Sequence, residues 1–360
     1  LRQESVQEQA VEVQDGPGSF GGDVLAWYRG NARSLPWRDT RDPYAIWVSE
    51  VMLQQTRVET VIPYYHRFLE QFPTIADLAA APEEAVLKVW EGLGYYRRVK
   101  LFQQGARQVV AEYGGQLPAE PEQLAALPGI GSYMVGALAS IAFNRPVPAV
   151  DGNVIRLVSR LLAFPEDSTT GRSRRIFTDW IQARFPAGAA RDFTQGLMEL
   201  GALICLPKAP RCDGCPVRRH CRAMAAGDPE RFPVKKTARP IPTERRIVLC
   251  INWNDRRLFV RRPDRGLLAG FWEYPNLLDG PATDAARLAA AWTGEQLGRE
   301  LAFAKRSELT QVFTHRRWEI ELWEAEWSQA EPPATPLGGA WLSRVEASAL
   351  PRVAFLRQWD

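Results

Sequence analysis

Two acids, four closely spaced thiols and one glycine turn carry the chemistry this sequence could perform. Glu50 lies within PYAIWVSEVMLQQ, among Ile46, Trp47, Val51 and Met52. A carboxylate beside so apolar a helical stripe is expected to be buried, which disfavours its charged form. Asp151 precedes a segment in which Val154, Leu157, Val158, Leu161 and Leu162 recur with helical period. Locally, Asp151 is the N-cap of that helix, and Glu50 alone reads as a helix-surface acid. Between them runs LPGIGSYMVGALASIAFNRPVPAVDGN, Leu127 to Asn153, where Gly129 and Gly131 open an apolar helix. Such a turn aims backbone N–H groups at a phosphate, and a carboxylate further on could act on whatever that phosphate is attached to. The expected elements are a short helix from Pro121 to Leu127, a turn with both glycines at positive φ, and a second helix from Ser132 to Phe143: a helix-hairpin-helix.

Cys205, Cys212, Cys215 and Cys221 are spaced C-x6-C-x2-C-x5-C. Four thiolates at that spacing suit one tetrahedral Zn²⁺ or the corners of an iron-sulfur cubane, and spacing alone leaves both open. His220 is an additional zinc candidate. Pro207, Pro210, Gly214 and Pro216 make the stretch a loop, which argues against four merely buried cysteines. Lys208, Arg211, Arg218, Arg219 and Arg222 are interleaved with them against a lone Asp213, a pattern suited to a phosphate backbone or simply to a solvated loop.

The elements that must position these groups fall into two halves. At 360 residues, 46% hydrophobic and net charge +3, the chain can build two ordinary cores, and composition only hints at an anionic partner. No apolar run reaches membrane-spanning length, and the polar start, residues 1–20, reads as a flexible tail on a cytosolic protein. Helical periodicity holds from Asp23 to about Ala202. Residues 226–246 are rich in proline and charge and read as an interdomain linker. Beyond them come strand-like runs at Ile247 to Trp253, Leu258 to Arg261 and Trp318 to Trp323, with a helix near Asp284 to Leu297. Cys250 reads as a buried strand residue. No internal repeat links the halves.

The hairpin glycines, VDGN at Val150 to Asn153 and the cysteine spacing together resemble the helix-hairpin-helix DNA glycosylases that carry a 4Fe-4S cluster. LPWR (Leu35 to Arg38), SEVMLQQT (Ser49 to Thr56) and EGLGYYRR (Glu91 to Arg98) resemble the MutY adenine DNA glycosylases in particular. The likeness is close from Asp23 to Met224 and looser beyond. It implies a multidomain fold: an all-α helix-hairpin-helix glycosylase domain over 21–225, including a 4Fe-4S loop at 205–221, then an α+β Nudix-like domain over 247–360.

Breaking an N-glycosidic bond requires a proton for the leaving base and an anion for the oxocarbenium-like sugar. By resemblance, Glu50 would protonate the adenine and help deliver water, and Asp151, ionised, would meet the sugar cation. Tyr133 and Asn153 would orient these two carboxyls. Trp37, Arg38, Leu93 and Gln195 would form the adenine pocket around a base flipped from the stack, and Gln55, Thr56 and Tyr95 would fill the gap and probe the opposite base. Lyase relatives of the endonuclease III type carry lysine where Tyr133 stands, so base removal without strand cutting is expected.

Arg257 to Asn276 resembles the strand and turn of Nudix hydrolases, but the acidic metal box is missing: Ala289 to Gly298 supplies only Glu295. This implies a binding module for 8-oxoguanine opposite adenine, read by Phe313, Thr314 and His315, with threonine where the family pattern has serine. The expected partner is double-stranded DNA bearing A:8-oxoguanine or A:G, bound by a monomeric, cytoplasmic, nucleoid-associated bacterial protein. Two other functions share many features: an endonuclease III-like pyrimidine glycosylase and lyase, and a non-catalytic iron-sulfur DNA-binding protein.

Overall fold

The computed structural model describes residues 18–236, 240–279, 284–336 and 338–359. Residues 1–17 of the expected tail and 237–239 of the expected linker lie outside these. The chain divides into two compact units, Leu1–Ala79 with Leu101–Thr237, and Ala80–Lys100 with Ala238–Asp360. The helical half is therefore not one continuous stretch: residues 80–100 group with the C-terminal part.

The helices in order are α1 (Phe20–Asn31), α2 (Pro43–Leu53), α3 (Val58–Gln71), α4 (Ile75–Ala80), α5 (Glu83–Trp90), α6 (Arg97–Tyr113), α7 (Pro121–Ala125), α8 (Ser132–Ala137), α9 (Gly152–Leu162), α10 (Gly171–Gln182), α11 (Ala190–Leu203) and α12 (Arg222–Ala225). Helix α1 starts inside the expected tail. Ser19 accepts from the Gly22 N–H at 3.0 Å, and Phe20 is buried in the core, so an apolar anchor ends the tail before residue 20. Asp42 caps α2 by accepting from the Tyr44 and Ala45 N–H groups, with Pro43 in the first turn. Every residue from Tyr44 to Met52 is buried, so α2 is an interior helix, apolar all round apart from Ser49 and Glu50.

The stripe read from sequence on α9 faces the core: Val154, Leu157, Val158 and Leu161 pack with Phe20, Val24, Phe177, Phe193, Leu197 and Leu200. Helix α11 comes so close to α9 that a Cβ on Gly201 would lie 2.5 Å from Asn153 Cβ. Only glycine permits that approach, and it sets Asn153 in place. The second hairpin helix departs from expectation: regular α-geometry stops at Ala137 and a π-turn occupies Leu138–Ala142. A Cβ on Gly136 would meet the Pro148 carbonyl at 2.0 Å, so the returning chain is packed directly on this segment.

Part of the expected linker has defined structure. Residues Pro229–Arg231 form a helical turn, and Val234 O accepts from the Ser168 N–H at 3.0 Å. The first strand begins at Thr243, so Thr243 to Arg246 belong to the sheet, their charges hidden from a hydropathy reading by strand alternation.

In the second unit, β1 (Thr243–Trp253), β2 (Arg256–Arg261), β3 (Trp272–Glu273), β4 (Asn276–Asp279), β5 (Ala304–Val312), β6 (Arg317–Glu326) and β7 (Gly339–Ser343) form one sheet. Its order is β3-β2-β1-β6-β5, with β4 on β1 and β7 on β2. Strand β1 pairs parallel with β6, placing Glu244 beside Trp318. One face is covered by α13 (Ala285–Leu297), which buries Ala289 and Leu297 against Ile247, Leu249 and Ile251. Helix α14 (Arg344–Ala349) follows β7 with a complete capping box between Ser343 and Glu346. Cys250 is buried in β1, as expected.

Candidate active site

Interior placement of α2 leaves Glu50 5% exposed. Its Oε2 accepts from the Tyr133 hydroxyl at 2.6 Å. Burial pushes the Glu50 pKa up to about 7, lowered in part by the Tyr133 hydrogen bond and raised further by the charge of Asp151. A carboxyl that titrates near neutrality can give and take a proton at working pH.

Asp151 has the cap geometry read from sequence. Its Oδ1 accepts from the Val154 N–H at 2.7 Å and its Oδ2 from Asn153 Nδ2 at 3.0 Å. Burial raises its pKa from the ordinary carboxylate value, opposed by those donors and by Arg156. The hydrogen bonds favour the ionised form while burial resists it, so the carboxylate is less comfortable than a solvated acid. Glu50, Tyr133, Asp151 and Asn153, distant in sequence, are thus one constellation in the first unit.

Around Arg38 lies a network that the sequence did not disclose. Glu199, on α11, accepts from Arg33 Nη2 at 2.7 Å and Arg38 Nη2 at 2.7 Å. Burial would raise the Glu199 pKa, but the two guanidinium groups outweigh it and hold the carboxyl down at about 2. Arg38 also donates to Arg33 O at 2.9 Å, while Arg191 Nη2 holds the Thr40 carbonyl at 2.6 Å. Trp37 is buried edge-on against Tyr65, and Gln195 is buried on α11. Like Glu50, Glu199 is an acid in an apolar helical stretch, LMELGAL, and that was the available signal.

At the hairpin, Gly129 has φ +78, and a Cβ there would lie 2.9 Å from Leu101 Cβ. Gly131 differs from expectation: its φ is −91, within reach of any residue, but the space a Cβ would enter is open. Its lack of a side chain therefore clears an approach to the backbone without relieving strain. Gln55 is exposed with φ +63, next to Thr56. Leu93 and Tyr95 belong to the second unit with residues 313–315. Leu93 is buried, and Tyr95 is 43% exposed with φ +48. The Thr314 hydroxyl donates to Tyr95 Oη at 3.2 Å. The half-buried Phe313 ring packs edge-on against Trp318 at 4.9 Å, and Thr314 and His315 form the exposed tip beside it.

The four clustered cysteines line a single cavity with Leu157, Arg160 and Val217. Among the described residues no three Cys, His, Asp or Glu side chains converge tightly enough to share one metal ion. Four thiols lining one cavity are a donor set that suits a thiophilic metal centre. Burial pushes the Cys215 thiol up to about 11 and also raises Cys212 and Cys221; thiolates there require a positive partner. Arg160, 1% exposed, supplies one: Nη1 donates to Cys205 Sγ at 3.3 Å and to Leu206 O at 2.6 Å, and Nε to Pro229 O at 2.8 Å. Arg156 joins the two sites, donating to Cys205 O at 2.7 Å, Gly201 O at 2.7 Å and Asn153 Oδ1 at 2.9 Å. Both arginines lie on the α9 periodic segment, where sequence reading followed only the apolar face. Arg218 pairs with Asp213 and Arg219 with Asp23, while Lys208, Arg211 and Arg222 are exposed.

Residues 48–183 match the family model of the HhH-GPD superfamily base excision DNA repair proteins, and residues 246–358 match that of the NUDIX domain. The chain is 35% identical to the adenine DNA glycosylase of Mus musculus, over 90% of this chain and 74% of the relative. It is 36% identical to that of Homo sapiens, over 91% and 71%. Among solved structures, a thermostable thymine-DNA glycosylase superposes with TM-score 0.53 and 28% identity, spanning 57% of this chain and 95% of that one. With a helix-hairpin-helix glycosylase domain, a Nudix-like α+β domain and similarity over about nine-tenths of its length, the chain belongs to the adenine DNA glycosylase family.

Proposed function

We propose that the protein is a monofunctional base excision repair glycosylase that hydrolyses the N-glycosidic bond of adenine mispaired with 8-oxoguanine or guanine in double-stranded DNA. The observation that carries this is Glu50, with a pKa of about 7, hydrogen-bonded to Tyr133 beside Asp151. Protonated Glu50 gives its proton to adenine N7, and the C1′–N9 bond breaks with its electrons leaving on the base. The Asp151 carboxylate meets the positive charge at C1′. Glu50, now ionised, accepts a proton from the water that adds to C1′, leaving an abasic site and free adenine. Tyr133 orients Glu50, and Asn153 orients Asp151. Trp37, Arg38 and Gln195 receive the flipped base, Arg38 being held by Glu199. No amine stands at Tyr133 to form a Schiff base with C1′, which supports base removal without strand cleavage.

Cys205, Cys212, Cys215 and Cys221 would hold a 4Fe-4S cluster, whose contribution when bound is to crosslink the loop that carries the basic side chains. Phe313, Thr314 and His315, with Tyr95 bonded to Thr314, would read 8-oxoguanine, and Gln55 and Thr56 would occupy the gap left by the flipped base. We infer a cytoplasmic protein acting as a monomer on chromosomal DNA; four cysteines clustered at metal-ligand spacing, not spread as a disulfide framework, support a reducing compartment. Single-turnover reactions on duplexes bearing A:8-oxoguanine, A:G, A:T and thymine glycol, with and without hot alkali, test this function. Alkali-dependent breaks at adenine, fastest opposite 8-oxoguanine, are expected. Alkali-independent cleavage at thymine glycol would overturn it in favour of a pyrimidine glycosylase-lyase.

A further inference from the structure

Strands β5 and β6 end on the pair Val312–Arg317, and the loop between them is closed by the Phe313 N–H donating to Arg316 O at 2.8 Å. Thr314 and His315 form its exposed tip. A short polar tip on an edge hairpin has little apolar contact of its own, so its orientation is set by whatever holds the two residues entering and leaving it. Here both sides lead to one carboxylate. Glu244, on the neighbouring parallel strand β1, accepts from Arg316 Nη1 at 2.9 Å through Oε1 and from Trp318 Nε1 at 2.9 Å through Oε2. Arg246 Nη2 donates to the same Oε2 at 2.6 Å and stacks over the Trp318 ring, 4.6 Å from its centroid. Trp318 in turn is the surface against which Phe313 packs. The adjoining Pro242 O accepts from the Arg317 N–H at 2.9 Å.

We propose that Glu244 is a positioning residue for opposite-base discrimination: it clamps the base of the β5–β6 hairpin through Arg316 and Trp318 and thereby fixes where Thr314 and His315 point. This rests on reading that tip as the part that recognises 8-oxoguanine. Charge-assisted hydrogen bonds to a single acceptor are short and directional, so removing the carboxylate frees Arg316 and Trp318 together, where other substitutions in the sheet would not.

The test measures single-turnover adenine release opposite 8-oxoguanine and opposite guanine, and takes the ratio of the two rates. Glu244→Ala should lower that ratio about tenfold, in keeping with the loss of charge-assisted hydrogen bonds, while the rate opposite guanine holds. Glu244→Gln, which retains one acceptor, should recover part of it. Arg316→Met removes the clamp from the loop side without disturbing the buried Trp318, and should lower the ratio in the same direction even if Glu244→Ala folds poorly. Glu346→Ala, which breaks the α14 capping box and the pair with Arg256 in the same unit, should destabilise that unit without moving the ratio. If Thr314→Ala and His315→Ala lower the ratio but Glu244→Ala and Arg316→Met do not, the positioning role is wrong. If the tip substitutions themselves leave it unchanged, the parent reading of the tip is wrong.

Discussion

The Tyr133 hydroxyl donates to Glu50 Oε2 at 2.6 Å, joining the hairpin helix α8 to the buried helix α2. This bond sets the acidity of Glu50 from one side while burial sets it from the other. A phenol in an apolar site is a neutral donor that stabilises the carboxylate without forcing its ionisation. The same position occupied by a lysine would place a charge next to Glu50 and depress its pKa far more.

Base release should fall as pH rises above about 7, because Glu50, with its pKa near 7, must be protonated to act as the acid. Glu50→Gln should lower the single-turnover rate by roughly 100-fold or more and abolish that limb. The stability sign is also set: folded Glu50 holds its proton up to about 7 against an ordinary carboxyl value of 4.5, so the native state loses stability as pH rises through that window. Melting temperatures measured from pH 4.5 to 7 should decline less in the glutamine variant than in the parent.

Tyr133→Phe removes a hydrogen bond that lowers the Glu50 pKa. The descending limb of the pH–rate profile should consequently move to higher pH. An unmoved limb would show that the hydroxyl does not tune Glu50.

Asp151 is a helix cap and, in the proposed mechanism, the anion that meets the sugar cation. Asn is also a good N-cap, so Asp151→Asn should melt within a few tenths of a kcal/mol of the parent while adenine release drops by a factor of about 100 to 1,000. DNA binding, followed by gel shift on an A:8-oxoguanine duplex, should persist. Asp151→Ala should add a stability loss of about 1 kcal/mol.

Glu199 is 1% exposed and shared by Arg33 and Arg38. Glu199→Ala leaves two guanidinium groups without their acceptor and should cost about 3–5 kcal/mol, read by urea melts. Its folded pKa of about 2 lies below the ordinary carboxyl value of 4.5, so the stabilisation it gives is present above pH 4.5 and lost as pH falls toward 2. In Glu199→Gln the acid melting profile should lose that component.

Arg156→Gln breaks contacts to Asn153, Gly201 and Cys205 at once. A loss of about 2 kcal/mol is expected from hydrogen bonds that involve a charged donor, together with slower adenine release as Asn153 loosens beside Asp151. If only stability changes, the link from the cysteine loop to the active site is structural alone.

Residue types, periodicity and spacing were sufficient for the helical half, the α+β half, the cap at Asp151 and the cysteine set, whereas for Glu50 the apolar stripe pointed to burial and its helical position fitted a surface acid equally. Each depends on local pattern: an apolar stripe of period 3.6, a turn residue where φ is positive, thiols a few residues apart. The resemblance to MutY supplied the roles, since neither Glu50 nor Asp151 alone differs from an ordinary helix acid.

Boundaries and partnerships were decided only by tertiary structure. Thr243 to Arg246 entered β1 because a charged strand still alternates sides, and Phe313 found the ring of Trp318, in the next strand, to pack on. Arg156, Arg160 and Glu199 gained meaning from groups distant in the chain, which no local pattern encodes. Sequence thus determined which side chains could ionise or ligate. Folding decided which of them lose water and whom they face, and desolvation with pairing is what turns Glu50 into an acid near neutrality and Glu199 into a permanent anion.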